Sequence, residues 1–335
     1  MKITINDIAK MAGVSISTVS RVVNNSKPVN DDVRRRVMSA IKETNYRGGL
    51  TSSDAAGPKA DSSLIGVILP HNSNTVLDDF NTGINHVADL YGYDVTVGLT
   101  DATVDNELGY LRLFGGIGLQ GIIFAGSPLN ERHLEIIREF KLPCVVVGEI
   151  SPDPSIPSVH VDNITASFEA VMYLIQKGHR RIGMIRGKDE GVVGGHRFEG
   201  YARALSEAGL ELNEQWIAES GMSVEDGMEA MSRLEESSGG KLPTAVFCST
   251  DWMAIGAMNY LLDHGYKVPE DVAVFGFDGS FMSSVVRPQL STVSYSATEI
   301  GMTATRKLIK LIKGEQVQPP HTNVTHHLTL RGSTR

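Results

Sequence analysis

The stretch Thr4–Asn24, TINDIAKMAGVSISTVSRVVN, constrains this chain more than any other. Thr4 is a good N-cap and Asp7, three residues on, can reach back to it. Ile5, Ile8, Ala9 and Ala12 then fall at i, i+3, i+4 and i+7, which is one buried helical stripe. Gly13 follows, where the chain must enter the left-handed region that glycine enters cheaply. Ser15 caps a second helix on which Val19, Val22 and Val23 point one way while Ser17, Ser20 and Arg21 point the other. Short hydroxyls around one arginine pack poorly but suit a major groove. Small side chains let the helix approach, and a guanidinium can bind guanine O6 and N7 together. The spacing predicts a helix-turn-helix whose second helix reads DNA. Its candidate contacts are Ser15, Ile16, Ser17, Thr18, Ser20, Arg21 and Asn24, with Thr4, Asn30 and Tyr46 at the margin. A solvated helical hairpin is the plainer alternative.

Charge favours the DNA reading. The whole chain of 335 residues carries −8, but residues 1–50 hold nine Lys/Arg against four Asp/Glu, or +5, leaving −13 for the rest. A basic head on an acidic body confines phosphate attraction to one module. Asn30 caps a third helix with Asp31 and Asp32 in its first turn, and Val33, Val37 and Ile41 can close a small core.

Specific residues carry a family resemblance. Asp7-Ile8-Ala9-Lys10, Ala12-Gly13-Val14-Ser15, Ser17-Thr18-Val19-Ser20-Arg21-Val22 and Asn24 resemble the headpiece of the lactose/galactose repressor family. Val29, the Arg34–Val37 helix and Asn45-Tyr46 extend the match. The resemblance implies a cytoplasmic, homodimeric transcription regulator, a repressor, that binds a palindromic operator and answers to a small effector, a sugar foremost. It also implies a short linker helix whose leucine wedges into the minor groove. Residues 48–63 depart from that pattern. Eleven of the sixteen are Gly, Ser, Ala or Pro, and Gly48, Gly49, Ser52 and Ala55 occupy the pattern's positions counted from Tyr46. The wedge leucine is missing, so little unstacking at the operator centre is expected.

From Leu64 onward, β-branched runs alternate with helical segments, the rhythm of right-handed βαβ units in parallel sheets. Strands are expected at Leu64–Leu69, Asp94–Val97, Gly121–Ala125 and Cys144–Gly148, then at Ile182–Ile185, Ala245–Cys248 and Val272–Gly276. The fold class is α/β: a three-helix head (1–47), a linker (48–63) and two doubly wound lobes. With the family's crossovers, one lobe takes 64–161 and 290–318 and the other 162–289 and 319–332. Cys144 and Cys248 sit inside apolar strands and read as buried free thiols.

Gly116-Ile-Gly118-Leu-Gln-Gly121 spells a dinucleotide fingerprint, but it follows a helix and precedes a strand, the reverse of what pyrophosphate binding needs. A Rossmann oxidoreductase is therefore disfavoured, and no cofactor or metal is expected. A transport-type sugar-binding protein would share the two lobes but would have no use for the head. No nucleophile elbow, Walker loop or HExxH supports catalysis.

Ligands of doubly wound sheets bind at the carboxyl ends of the strands. Those ends here offer Asn74, Ser127, Glu149, Arg197, Thr250, Phe277 and Asp278. This mixture of amide, hydroxyl, carboxylate, guanidinium and ring suits a polyhydroxylated molecule. The resemblance assigns effector contacts to Arg197 in Arg-x-x-Gly and Asp278 in Gly-Phe-Asp, and effector-dependent positions to Glu149 and Thr250. Asp251 is expected to N-cap the helix after it.

Overall fold

A computed structural model describes residues 5–24, 29–44, 63–70, 76–101, 103–188, 191–239 and 241–334. Thr4, Tyr46, Asn74 and the linker through residue 62 lie outside the described residues, as does the side chain of Asn24.

The head is three helices, α1 (Ile5–Ala12), α2 (Ile16–Asn24) and α3 (Asp31–Thr44). Gly13 has φ 63° and closes α1: its N–H donates to the Lys10 carbonyl and that of Val14 to the Ala9 carbonyl. That paired closure satisfies carbonyls that a helix end otherwise leaves open. Ile8, Ala9, Ala12, Val19, Val22, Val37 and Ala40 form its core. Asn30 accepts the Asp32 N–H at 2.8 Å, as a cap should.

The first lobe runs β1 (Leu64–Pro70), α4 (Val76–Tyr91), β2 (Asp94–Thr100), α5 (Val104–Gly116), β3 (Ile122–Phe124), α6 (Glu131–Glu139), β4 (Cys144–Val147) and β5 (Ser158–His160). The second runs α7 (Asn163–Gln176), β6 (Ile182–Gly187), α8 (Gly191–Glu207), β7 (Ile217–Ser220), α9 (Val224–Ser237), β8 (Ala245–Cys248), α10 (Asp251–Asp263), β9 (Ala273–Asp278), α11 (Phe281–Val285) and β10 (Ser291–Tyr295). The chain then returns through α12 (Ala297–Ile312) and β11 (His321–Asn323) to β12 (His326–Thr329). The sheets have strand orders β11-β5-β4-β3-β1-β2 and β12-β10-β9-β8-β6-β7. Every described pairing is parallel except β10 with β12. The glycine-rich segment is the α5-to-β3 turn, with Gly118 at φ 73°. Both cysteines are buried and free.

Strand pairing corrects the crossover positions. Residues 291–295, expected in the first lobe, form β10 and pair with β9 and β12 in the second sheet. Residues 321–323, expected in the second, form β11 and pair with β5 in the first. The chain returns to the first lobe at Ser296, whose hydroxyl caps α12 by accepting the Glu299 N–H at 3.1 Å. Three strand-end passages thus join the lobes: His160 to Asn163, Tyr295 to Ala297 and Asn323 to His326.

Helices α4 and α12 meet through glycines. A Cβ on Gly301 would lie 2.3 Å from the Phe80 carbonyl oxygen, and one on Gly83 would lie 2.2 Å from that of Thr298. Gly301→Ala is expected to destabilise by roughly 1–3 kcal/mol through overpacking, more than the gain of about 1 kcal/mol in helix propensity. Urea midpoints measure this; an unchanged or higher midpoint would show that the helices separate without cost.

Candidate functional site

On the head, α2 turns Val19 and Val22 inward and leaves Ile16, Ser17 and Arg21 exposed, with Thr18 and Ser20 half-buried. Ser15 accepts the Thr18 N–H at 3.2 Å, and its hydroxyl meets those of Ser17 at 2.9 Å and Thr18 at 2.8 Å. The first turn of the helix therefore holds three linked hydroxyls beside an outward arginine. Each hydroxyl has lone pairs and a rotatable proton to offer a base edge or a phosphate.

The second candidate site lies between the lobes. A cavity of about 850 Å³ opens at the strand carboxyl ends of both sheets, and its lining includes Ser127, Glu149, Arg197, Thr250 and Asp278. These sequence-named residues come together although up to 151 positions separate them. The first lobe adds an apolar wall of Leu69, Leu77, Phe80, Val147 and Ile300. A ligand there meets apolar surface together with polar groups from both lobes, the usual make-up of a small-molecule site.

Arg197 anchors the polar groups of the second lobe. Its Nε donates to Asn163 Oδ1 at 3.0 Å, Nη1 to the Ser249 carbonyl, and Nη2 to Asp278 Oδ1 at 3.1 Å. Asn163 opens α7 just past the first crossover, so the guanidinium ties that passage to β8 and β9. Asp278 stands at φ 108°, a region that residues with a side chain rarely enter. Tyr295, at the second crossover, donates its hydroxyl to the same Asp278 oxygen at 3.0 Å. Burial pushes the Tyr295 hydroxyl far up, with the Asp278 charge adding, so it stays a donor. Arg197 and Asp278 are 7% and 4% exposed, so this is a buried ion pair built around two passages between the lobes.

Phe277, expected as an effector contact, does not reach the cleft. Its side chain is fully buried among Phe247, Phe275 and Val293, and its ring lies under the Arg197 guanidinium, 3.7 Å from carbon to ring centre. It supports the arginine and offers no face to a ligand. Alternation along β9 turns residue 277 away from the side on which Asp278 stands.

Asp251, expected as the N-cap of its helix, does not take that role. Thr250 is the cap, accepting the Met253 N–H at 3.2 Å, and the helix starts at Asp251. Asp251 turns inward instead, taking the Ser280 N–H and the Thr292 hydroxyl at 2.6 Å each. Burial pushes its carboxyl up to about 7 from an ordinary 3.8, with the Asp278 charge adding and the hydrogen bonds opposing. The folded form therefore holds this proton more tightly than the unfolded chain. The resulting stability is complete below about pH 4 and is lost as pH rises through about 7. Relative to wild type, Asp251→Asn is expected to gain stability over that interval, by at most about 4 kcal/mol. Denaturant midpoints across pH check this; a stability difference that stays flat contradicts it.

In the first lobe, among the described residues, Glu149 takes one long hydrogen bond, from the Leu129 N–H at 3.3 Å. Burial raises its carboxyl above the usual range, and the Glu107 charge adds to this. A half-buried carboxylate so thinly satisfied attracts ligand donors. Sequence reasoning missed Glu107, Asn163 and Tyr295. They act through contacts 17 to 34 positions distant in the chain, or behind a lining residue, and no local motif marks them.

The comparisons with known proteins agree with this geometry. The model of bacterial regulatory proteins of the lacI family matches residues 4–48, and that of the periplasmic binding protein-like domain matches residues 171–334. Catabolite control protein A of Priestia megaterium is 35% identical over 336 residues, covering 100% of both chains. The HTH-type transcriptional repressor CytR of Escherichia coli is 34% identical over 333 residues, covering 99% of this chain and 96% of its own. Among solved structures, the transcriptional regulator CelR–cellobiose complex matches 99% of both chains with a TM-score of 0.75 at 27% identity. The transcription regulator CcpA of Lactococcus lactis matches 81% of this chain and 99% of its own, at 0.74 and 31%. With a helix-turn-helix in a three-helix head, two doubly wound lobes and full-length relatives of this kind, the chain belongs to the lacI family of DNA-binding transcription regulators.

Proposed function

We propose that the protein is a cytoplasmic, homodimeric repressor of a catabolic operon, whose affinity for a palindromic operator is tuned by a small effector in the inter-lobe cleft. The observation that carries this reading is the Arg197–Asp278 pair, which faces the cleft and is bonded to residues at two of the three passages between the lobes. An effector that rearranged those bonds would alter how the lobes sit, and a ligand shifts such an equilibrium only by its differential affinity for the two forms. A hydroxyl-rich effector, a sugar foremost, fits the polar groups that the two lobes present. CelR, a relative, is solved with cellobiose.

The head supplies the DNA half. Ser15, Ile16, Ser17, Thr18, Ser20, Arg21 and Asn24 enter the major groove, with Thr4, Asn30 and Tyr46 flanking on phosphates. Ser127, Glu149, Arg197, Thr250 and Asp278 are the effector contacts, joined by Asn74. Selection from a random duplex library tests the DNA half: enriched sequences should be palindromes with one half-site per head. Enrichment of single, unpaired half-sites would argue against a dimer.

A further inference from the structure

Behind the first-lobe wall of the cleft lies a buried cluster that the effector contacts do not account for. Glu107 on α5 and His133 on α6 are both 0% exposed. Glu107 Oε1 accepts the Ser127 N–H at 2.6 Å, and Oε2 accepts the Ser127 hydroxyl at 2.5 Å. His133 Nε2 lies 3.1 Å from the same Oε2. His133 Nδ1 accepts the Asn130 N–H at 3.1 Å, so the ring proton sits on Nε2 and is donated to Glu107. Burial alone would raise the Glu107 carboxyl, yet these donors hold it below its ordinary value, so it is an anion. The strap 126–129 lies hard against it: a Cβ on Gly126 would fall 2.3 Å from Glu107 Oε1. The order is Ser–Glu–His, with no imidazole facing the hydroxyl, so the cluster is not a nucleophile with its base.

Its consequence is directional. An ionised carboxylate only accepts, so the Ser127 proton is committed to Glu107 and points away from the cleft. What Ser127 shows the cavity is its lone pairs. Its neighbour on that wall, Glu149, is also an acceptor. We infer that Glu107, backed by His133, is a positioning residue that fixes Ser127 as a hydrogen-bond acceptor, so that the first-lobe wall selects effectors presenting a hydroxyl or amine donor there. This rests on the cleft being the effector site and specifies the chemistry that the site takes.

The test uses the full chain and named probes: cellobiose, D-ribose, D-glucosamine, glucose 6-phosphate and cytidine, titrated by calorimetry. Deoxyfluoro analogues of each binder follow, because fluorine in place of hydroxyl removes the donor. For a probe whose binding is lost in Arg197→Lys, fluorine at one position should cost wild type about tenfold in affinity, the scale of one lost hydrogen bond. In Glu107→Gln the glutamine amide can donate to Ser127, freeing its proton to turn to the cleft. The fluorine penalty at that position should then shrink to within about twofold, which a purely structural role for Glu107 would not produce. Should Glu107→Gln fail to fold, Ser127→Ala deletes the acceptor from the cleft side and should erase the same penalty. A penalty undiminished in the folded variant, or no penalised position in wild type, overturns the inference while leaving the effector reading in place. If no probe binds in an Arg197-dependent way, the cleft reading falls and the inference falls with it.

Discussion

Arg197→Ala is expected to abolish the effector response and to cost the fold roughly 3–5 kcal/mol, because it strands Asp278 as a buried charge without its partner. The same change frees Asn163 and the Ser249 carbonyl, loosening the join between α7, β8 and β9. Asp278→Asn keeps the shape and should lose the response at a smaller cost in stability. Moving a two-state protein from 1:99 to 99:1 takes roughly 5.5 kcal/mol of differential affinity. Two charge-assisted contacts, at about 1.5–3 kcal/mol each, would supply much of it. Operator affinity without effector should survive in both variants, since the head has its own core. Calorimetry and denaturant midpoints separate the effects. Unchanged effector affinity in either variant would remove that residue from the site.

Arg21→Ala should weaken the selected operator by roughly 1–3 kcal/mol and relax preference at one base pair of each half-site. Arg21 is the exposed arginine on α2, one turn beyond the linked hydroxyls of Ser15, Ser17 and Thr18. Anisotropy titrations on operator and on random duplex at one salt concentration decide its role. An equal loss on both would make Arg21 a phosphate contact, and the base-reading assignment would be withdrawn.

Much of the architecture was legible because it rests on local rules. Helices α1 and α2 show in the 3.6 period and in Gly13, and the central strands show because burial on both faces leaves apolar runs such as Ala273–Phe277. The strands Ser158–His160 and His321–Asn323, toward one edge of the first sheet, carry polar residues and are held by pairing with each other and, for the former, with β4, which no window of sequence displays. That pairing also set the crossovers away from their expected places. In the cleft, Arg197 and Asp278 were visible as motif residues. Phe277 was misread because its neighbour faces the cleft, although alternation along the strand pointed it into the core. Asp251 was misread because Thr250 is also a capping residue and takes that role. Glu107 and His133 were invisible: their partnership exists only where α5 and α6 pack behind the Ser127 strap.

The central claim is that occupancy of the cleft changes DNA affinity through Arg197 and Asp278. Its most direct test is the dissociation constant of the selected operator, measured with and without a saturating cleft ligand in wild type and in Asp278→Asn. The account predicts a change of tenfold or more in wild type, of either sign, corresponding to about 1.4 kcal/mol of coupling, and none in the variant. A ligand that binds the cleft at full occupancy while leaving the operator dissociation constant of wild type unchanged would contradict it.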